Sequence, residues 1–304
     1  MSRIHEALRR AELERKVQSE TEDEIPVAPD GNLAGEDHSL RMTAALSSNV
    51  AKHEWKPSTD AIPCMLQRGP VVEQFRGLRS RINDARYEHP LKTILVSSSI
   101  PMEGKSFVSM NLAVSLIRHS VNRVLLIDGD LRRPTLHRML GTSSEPGLSE
   151  YLAGEKELSE VLQQSEPHGM AESAMDGALS NLIFLPAGKC CDNSAELLAN
   201  GRLQQLIASV AQSFDWILID SPPVLAITDA AEIARCTDAV LLVARHGFTP
   251  FDVMQRTQAA LQQYRILGAV LNASTGTPDE QGYYGYFSDA DADSPPEKTK
   301  RSRV

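Results

Sequence analysis

Residues 99–106 read Ser99-Ile-Pro-Met-Glu-Gly-Lys-Ser106 and lie between a predicted strand and a predicted helix. The preceding residues, Leu91-Lys-Thr-Ile-Leu-Val-Ser97, are mostly aliphatic or β-branched, which predicts a short buried strand. From Phe107 to Arg118, apolar side chains recur three and four positions apart, which predicts a helix. A strand, a loop that ends in Gly-Lys-Ser and a helix, in this order, are typical of a phosphate-binding loop.

The chemistry of such a loop lies in its backbone N–H groups, which surround a β-phosphate together with those of the helix start. Lys105 is predicted to reach the β- and γ-phosphates, and the Ser106 hydroxyl is predicted to bind Mg²⁺. Ser99 stands where the pattern G-x-x-x-x-G-K-[ST] has its first glycine, so this turn has to form without glycine's conformational freedom. The predicted nucleotide-binding loop comprises Ser99, Ile100, Pro101, Met102, Glu103, Gly104, Lys105 and Ser106.

Two further apolar stretches end in carboxylates. The first is Val124-Leu-Leu-Ile-Asp128-Gly-Asp130-Leu-Arg132, and the second is Trp216-Ile-Leu-Ile-Asp220-Ser-Pro-Pro223. Because the carboxyl ends of strands line the ligand crevice of an open parallel sheet, we expect the three strand ends to meet at one Mg²⁺–nucleotide site. The predicted metal ligands are Ser106, Asp130 and Asp220, the carboxylates binding directly or through water.

The order of the elements predicts an α/β fold of the P-loop NTPase type. Strands alternate with helices along the chain, which indicates a doubly wound, mainly parallel sheet with helices on both faces. One of the predicted helices is a single long one from Ser194 to Ser213. Three regions are predicted: residues 1–60, an N-terminal helix and a disordered linker; residues 61–273, the nucleotide-binding domain; and residues 274–304, a flexible tail.

Composition narrows the classes of function. The formal net charge of −9 argues against a nucleic-acid-binding protein, which normally carries a basic face. No apolar run approaches the roughly 18–20 residues that span a bilayer, and the polar N-terminus has no signal-peptide core. We therefore expect a cytosolic chain.

The three motifs together resemble those of the bacterial tyrosine kinases of capsule and exopolysaccharide biosynthesis, over roughly Pro70 to Asn272. This family combines the phosphate-binding loop with D-x-D-x-R, here Asp128–Arg132, and D-x-x-P, here Asp220–Pro223. The resemblance implies a tyrosine autokinase that uses ATP and Mg²⁺. The implied catalytic residues are Lys105, Asp128, Asp130 and Asp220.

The resemblance also implies individual roles. Asp128 is the candidate base for the tyrosine hydroxyl, and the alternative is that Asp130 is the base and Asp128 binds the metal. Asn272 is expected near the adenine base, or else it is an ordinary turn residue. Arg132 and Arg133 either support phosphate charge or pair with acidic neighbours.

Two more segments carry family motifs. The motif E-x-x-R-x-x-R, here Glu73, Arg76 and Arg79, resembles the contact between subunits of a ring; local Glu–Arg pairing is the simpler interpretation. In the tail, an aromatic cluster resembles the autophosphorylated tyrosines of the family; a docking motif is the alternative. The expected acceptors are Tyr283, Tyr284 and Tyr286.

Since the sequence has no spanning segment, it resembles the stand-alone members of the family. The implied partners are a membrane-anchored activator that regulates polysaccharide chain length, further copies of the chain and a cognate tyrosine phosphatase, with no nucleic acid. The implied location is the cytoplasm, with recruitment to the inner face of the plasma membrane. Two alternatives remain: a nucleotide-binding adaptor, and a switch ATPase of the chromosome-partition type, although Ile100 replaces the signature lysine of those ATPases.

Overall fold

The computed structural model describes residues 50–118, 122–166 and 174–274, and these contain an eight-stranded sheet. The strands are β1 Ala51–His53, β2 Thr93–Ser98, β3 Val124–Asp128, β4 Gln163–Ser165, β5 Leu182–Leu185, β6 Trp216–Asp220, β7 Ala239–Arg245 and β8 Ile266–Asn272.

Helices connect most of these strands. Within the described ranges they are α1 Pro70–Glu88, α2 Lys105–Ile117, α3 Leu136–Leu140, α4 Leu148–Ala153, α5 Leu158–Val161, α6 Ala174–Leu179, α7 Ser194–Ala199, α8 Arg202–Val210, α9 Asp229–Ala234 and α10 Phe251–Ala260. A single 3₁₀ turn, Pro63–Met65, precedes α1.

The strand order is β1-β4-β5-β3-β6-β2-β7-β8, and every neighbouring pair is parallel except β4 with β5. Every residue of β2, β3 and β6 is buried, as expected for central strands that helices cover on both faces. One face packs against α1 and α2 and the other against α8 and α9, which gives two apolar cores. The doubly wound, mainly parallel sheet predicted from the sequence is confirmed.

The sheet order brings the ends of β2, β3 and β6 together. In the register of the sheet, Asp220 pairs with Asp128 on one side and with Val96 on the other. The phosphate-binding loop follows β2 directly. The expected convergence of the loop with the carboxylates is therefore a consequence of the strand order.

Residues 50–60 differ from the prediction of a linker. Strand β1 pairs with β4 in parallel, and Trp55 is only 1% exposed. The N–H of Lys56 donates to the carbonyl of Leu140 at 2.9 Å. These residues therefore belong to the folded domain, which corrects the predicted linker over this stretch. Sequence periodicity did not reveal it because the strand has only three residues and Trp55 stands among polar residues.

The prediction of one long helix from Ser194 to Ser213 is wrong. The structure divides it into α7 and α8 at Asn200-Gly201, where Gly201 adopts a left-handed φ of 82°. The short elements α5, β4 and α6 were not predicted. The predicted N-terminal helix and the tyrosine cluster lie outside the described residues. Among those that are described, no helix has the length and apolar character needed to cross a membrane.

Candidate nucleotide-binding site

Gly104 occupies the position of the loop where glycine is required. It precedes α2 with a left-handed φ of 93°, a backbone conformation that is unfavourable for residues with a Cβ atom. A Cβ atom at this position would lie 2.0 Å from Nδ2 of Asn272. Both the backbone conformation and the close approach of Asn272 therefore exclude a larger residue.

Ser99 shows how the loop forms without its first glycine. It does not have a positive φ; besides Gly104, the left-handed residue of the loop is Met102, at φ 68°. The Ser99 side chain is buried, and its hydroxyl lies 3.1 Å from the sulfur of Met254. The substitution of Ser for Gly is therefore compatible with this loop, because the strained conformation lies three residues further on.

A buried carboxylate, that of Glu103, braces the loop from inside. Its Oε2 accepts the N–H of Ile100 at 2.8 Å, and its Oε1 accepts the hydroxyl of Thr249. The backbone carbonyl of Glu103 accepts Nδ2 of Asn272 at 2.9 Å. These contacts join the loop to the β7–α10 connection and to the end of β8. Sequence reasoning missed Thr249, because a lone threonine in a turn gives no signal.

Lys105 lies between two carboxylates. Its Nζ atom is 3.0 Å from Oδ2 of Asp130 and 3.6 Å from Oδ2 of Asp220. Burial alone would lower the pKa of Lys105, but the charges of Asp220 and Asp130 outweigh burial, so its pKa is raised. The ammonium group is therefore held charged at the point where the three strand ends meet.

Asp220 contacts the first turn of α2. The hydroxyl of Ser106 donates to its Oδ2 at 2.6 Å, and the hydroxyl of Ser109 donates to its Oδ1 at 3.1 Å. Complete burial raises the pKa of Asp220, although Lys105 and Ser106 oppose this shift. Ser109 was not predicted as a site residue; its position one helical turn after Lys105 is the only signal that the sequence offers.

Asp128 and Asp130 have different surroundings. Asp128 is fully buried; its Oδ2 accepts the N–H groups of Thr135 and Leu136, both at 3.1 Å, and its Oδ1 accepts that of Asp130 at 3.3 Å. Burial, with the charge of Asp220 next in importance, raises the pKa of Asp128. Asp130, rather than Asp128, forms the ion pair with Lys105.

The arginine of D-x-D-x-R pairs with acidic and polar neighbours. Nε of Arg132 donates to Oγ of Ser194 at 2.9 Å and lies 3.6 Å from Oδ2 of the buried Asp229. The Ser194 hydroxyl donates to the same Asp229 oxygen at 2.6 Å. For Arg133, the recorded contact is its backbone N–H to Oδ1 of Asp130, at 3.0 Å.

Asn272 combines a turn contact with its contact to the loop. Its Oδ1 accepts the N–H of Ala273 at 2.9 Å, and Ala273 has a positive φ of 53°. A cavity of about 570 Å³ adjoins it, lined in part by Phe75, Phe107 and Val270. Asn272 therefore makes the contact expected of a turn residue, and its contact with the adenine base remains a prediction.

The residues of E-x-x-R-x-x-R make contacts within the chain. Arg76 and Glu73 form an ion pair of 2.7 Å, as the local interpretation expects. Nη1 of Arg79 donates to the carbonyl of Ser115 at 2.7 Å, at the end of α2. The role of these residues between subunits remains a prediction.

The donor set fits a magnesium–nucleotide complex. Among the described residues no group of three or more His, Cys, Asp or Glu side chains is arranged to hold a metal. Mg²⁺ typically needs no such group, because it keeps several waters and takes one or two carboxylates together with phosphate oxygens. Ser106, Asp130 and Asp220 supply two carboxylates and a hydroxyl beside the phosphate-binding loop.

The fold and the site together define a P-loop nucleotide-binding domain, and comparisons with known proteins identify its family. A family model described as an AAA domain matches residues 92–252. The chain is 34% identical over 228 residues to the tyrosine-protein kinase wzc of Salmonella typhimurium, which covers 73% of this chain and 30% of the relative. It therefore spans less than a third of that protein.

Two other proteins match over more of their own length. The tyrosine-protein kinase YwqD of Bacillus subtilis is 31% identical, over 70% of this chain and 86% of the relative. The solved kinase domain of the Escherichia coli tyrosine kinase ETK is 35% identical with a TM-score of 0.59, covering 68% of this chain and 78% of that one. This chain belongs to the family of bacterial tyrosine kinases.

Proposed function

We propose that this chain is an ATP-dependent protein-tyrosine kinase that phosphorylates tyrosines of its own C-terminal tail. The observation that carries the proposal is the position of Lys105, next to Ser106 and between Asp130 and Asp220. Its membership of a family whose relatives are named tyrosine-protein kinases supports tyrosine as the acceptor.

The loop and its neighbours bind and orient the nucleotide. The backbone N–H groups of the loop and the Lys105 ammonium hold the phosphates. Ser106, Asp130 and Asp220 are the residues that would hold Mg²⁺, which when bound neutralises charge on the phosphates. Asp130 and Asp220 hold the Lys105 ammonium beside the loop, within reach of the phosphates that the loop would bind.

Asp128 is the proposed base for the acceptor. A tyrosine hydroxyl, with a pKa near 10, is a weak nucleophile at neutral pH and benefits from a proton acceptor. Asp130 is engaged by Lys105, whereas the contacts of Asp128 are to backbone N–H groups. We expect Asp128→Asn to lower kcat with little change in nucleotide affinity, and Asp130→Asn to weaken nucleotide and Mg²⁺ binding as well. Equal effects on both parameters in the two variants would remove this distinction.

The proposed acceptors are Tyr283, Tyr284 and Tyr286. Strand β8 ends at Asn272, whose side chain contacts the loop, and the described residues end two positions later, at Ser274. The nine residue steps from Ser274 to Tyr283 span at most about 32 Å. This reach is compatible with transfer between adjacent subunits, with the helix that carries Glu73, Arg76 and Arg79 as the proposed contact. Phosphates of nearly −2 charge each would then weaken the assembly by repulsion.

The biological role follows from the resemblance to the kinases of capsule and exopolysaccharide synthesis. We propose control of polysaccharide synthesis and export, with a membrane-anchored activator that recruits the chain to the inner membrane face and a phosphatase that reverses the modification. Identical sedimentation of the phosphorylated and dephosphorylated chain would contradict the cycle of assembly.

The test is to incubate the full chain with ATP and Mg²⁺ and to map phosphotyrosine by mass spectrometry. Phosphate is expected on the tail of the wild type and absent from Lys105→Met. To test transfer between subunits, the Lys105→Met chain is mixed with a chain in which Tyr283, Tyr284 and Tyr286 are replaced by Phe. Phosphate on the tail of the Lys105→Met chain establishes transfer between subunits, whereas its absence, with an active wild type, indicates transfer within one chain.

A further inference from the structure

A second cavity, of about 360 Å³, lies at the far end of α2 from the nucleotide-binding loop. It is lined by Cys64, Val72, Arg76, Arg79, Ser115 and Arg118. Helix α2 has 13 residues, from Lys105 at the loop to Ile117, so at 1.5 Å per residue the cavity is about 20 Å from the phosphate site. It is thus separate from the site described above.

The cavity carries an excess of positive charge. Of the six described residues that line it, three are arginines and none is acidic. Within the described part of the chain, the carboxylate that pairs with one of these arginines is that of Glu73, which contacts Arg76. Burial, followed by the charges of Arg76 and Arg118, lowers the pKa of Arg79; burial and then Arg76 lower that of Arg118. The guanidinium groups therefore repel one another, and an anion between them would remove this repulsion.

Two of the arginines are held in place by backbone carbonyls. Nη1 of Arg79 donates to Ser115, and Nη1 of Arg118 donates to the carbonyls of Cys64 and Leu66. Each guanidinium has five N–H donors, and among the described residues no acceptor is recorded for the Nε and Nη2 atoms of Arg79 and Arg118. Fixed guanidinium groups with donors to spare are the arrangement that recognises phosphate.

We propose that the cavity formed by Arg76, Arg79 and Arg118 is a phosphate-binding site that takes a phosphorylated tyrosine side chain, which would compete with the proposed subunit contact through Arg76 and Arg79. The identity of the ligand rests on the proposed function, since a tyrosine kinase that modifies its own tail supplies this group at high local concentration. The volume lies in the range of pockets that enclose a small organic ligand and exceeds that of a phosphate ion. The wall formed by Val72 provides an apolar surface for an aromatic ring.

The test is calorimetric titration of the full-length Lys105→Met chain, saturated with ADP and Mg²⁺ so that its phosphate-binding loop is filled. The ligands are O-phosphotyrosine, phenyl phosphate, inorganic phosphate and tyrosine. Since the ligands are synthetic and the chain is inactive, the outcome does not depend on kinase activity. The variants are Arg118→Gln, outside the E-x-x-R-x-x-R motif; Arg76→Gln, which is half-exposed; and the control Arg81→Gln, an exposed residue of α1 that lines the other cavity.

O-phosphotyrosine and phenyl phosphate are expected to bind more tightly than inorganic phosphate, and tyrosine is expected not to bind. Arg118→Gln should weaken binding about tenfold, the effect of losing one charge-assisted hydrogen bond. Arg76→Gln tests the site should Arg118→Gln not fold, and Arg81→Gln should bind like the parent. The absence of binding by millimolar phosphate esters overturns the site. Equal binding of inorganic and phenyl phosphate overturns the aryl ligand, and unchanged binding in both Arg118→Gln and Arg76→Gln overturns the location.

Discussion

Replacement of Glu103 by Ala tests how the phosphate-binding loop is held in shape. The change removes the acceptor of the Ile100 N–H at 2.8 Å and of the Thr249 hydroxyl. A donor left without an acceptor costs about 1–3 kcal/mol when it is buried. Ile100 and Thr249 are both half-buried, so water reaches them in part and the lower end of this range applies. With about 1 kcal/mol for each of the two donors, we expect Glu103→Ala to lower the free energy of unfolding by about 2 kcal/mol.

The matched control is Glu103→Gln. Its amide oxygen is able to accept the Ile100 N–H, while its NH₂ group donates to Oγ1 of Thr249, which has a lone pair free beside the N–H of Arg245. We therefore expect a loss below about 1 kcal/mol in the Gln variant.

Urea denaturation followed by tryptophan fluorescence measures both effects, because both tryptophans, Trp55 and Trp216, are buried and report unfolding. Calorimetry gives the affinity for ADP, which we expect to fall about tenfold in Glu103→Ala because the loop is less preorganised. Wild-type stability and affinity in Glu103→Ala would refute the bracing role. A Gln variant as unstable as the Ala variant would show that charge, rather than the accepting oxygen, is what matters.

Three further substitutions test other parts of the account. Trp55→Ala should cost about 3–5 kcal/mol in urea denaturation; an unchanged midpoint would contradict the packing of residues 50–60 on the domain. Gly104→Ala should abolish ADP binding in calorimetry, and adding Asn272→Ala should restore it only in part, because the φ of 93° remains unfavourable; full recovery would exclude backbone strain. Gly201 has a φ of 82°, and a Cβ added there would meet no atom within 4 Å apart from its chain neighbours. Gly201→Ala should therefore lower the free energy of unfolding by about 1 kcal/mol and leave ADP affinity unchanged. Reduced affinity would mean that the break between α7 and α8 supports the site.

The parts of the fold that the sequence predicted are those with a long apolar signal. The runs that end at Asp128 and Asp220 are central strands, in which every residue is apolar apart from the terminal Asp. The sequence therefore predicted both that these runs are strands and where each strand ends. The break at Gly201 was missed because the apolar spacing continues on both sides of it. The segment around Trp55 was missed because its burial depends on residues distant in sequence, such as Leu140.

In the site, too, some residues were predicted from the sequence and some contacts were not. The motif residues Lys105, Ser106, Asp130 and Asp220 were predicted because spacing and strand ends determine their positions. The contacts of Glu103 with Thr249, and of Arg132 with Asp229, join residues separated by about a hundred positions or more. Such pairs depend on how loops pack against each other, which one sequence without its structure does not encode in any local pattern.

The most direct measurement is the fate of the γ-phosphate in a single turnover. The full chain is mixed with a limiting amount of ATP labelled in the γ position and with Mg²⁺, and the label is divided between phosphotyrosine and inorganic phosphate. Lys105→Met serves as the inactive control. We expect the label on Tyr283, Tyr284 and Tyr286 of the wild type, with none transferred in the variant. Release of all label as inorganic phosphate, with no phosphotyrosine, would contradict the proposed kinase and indicate a switch ATPase instead.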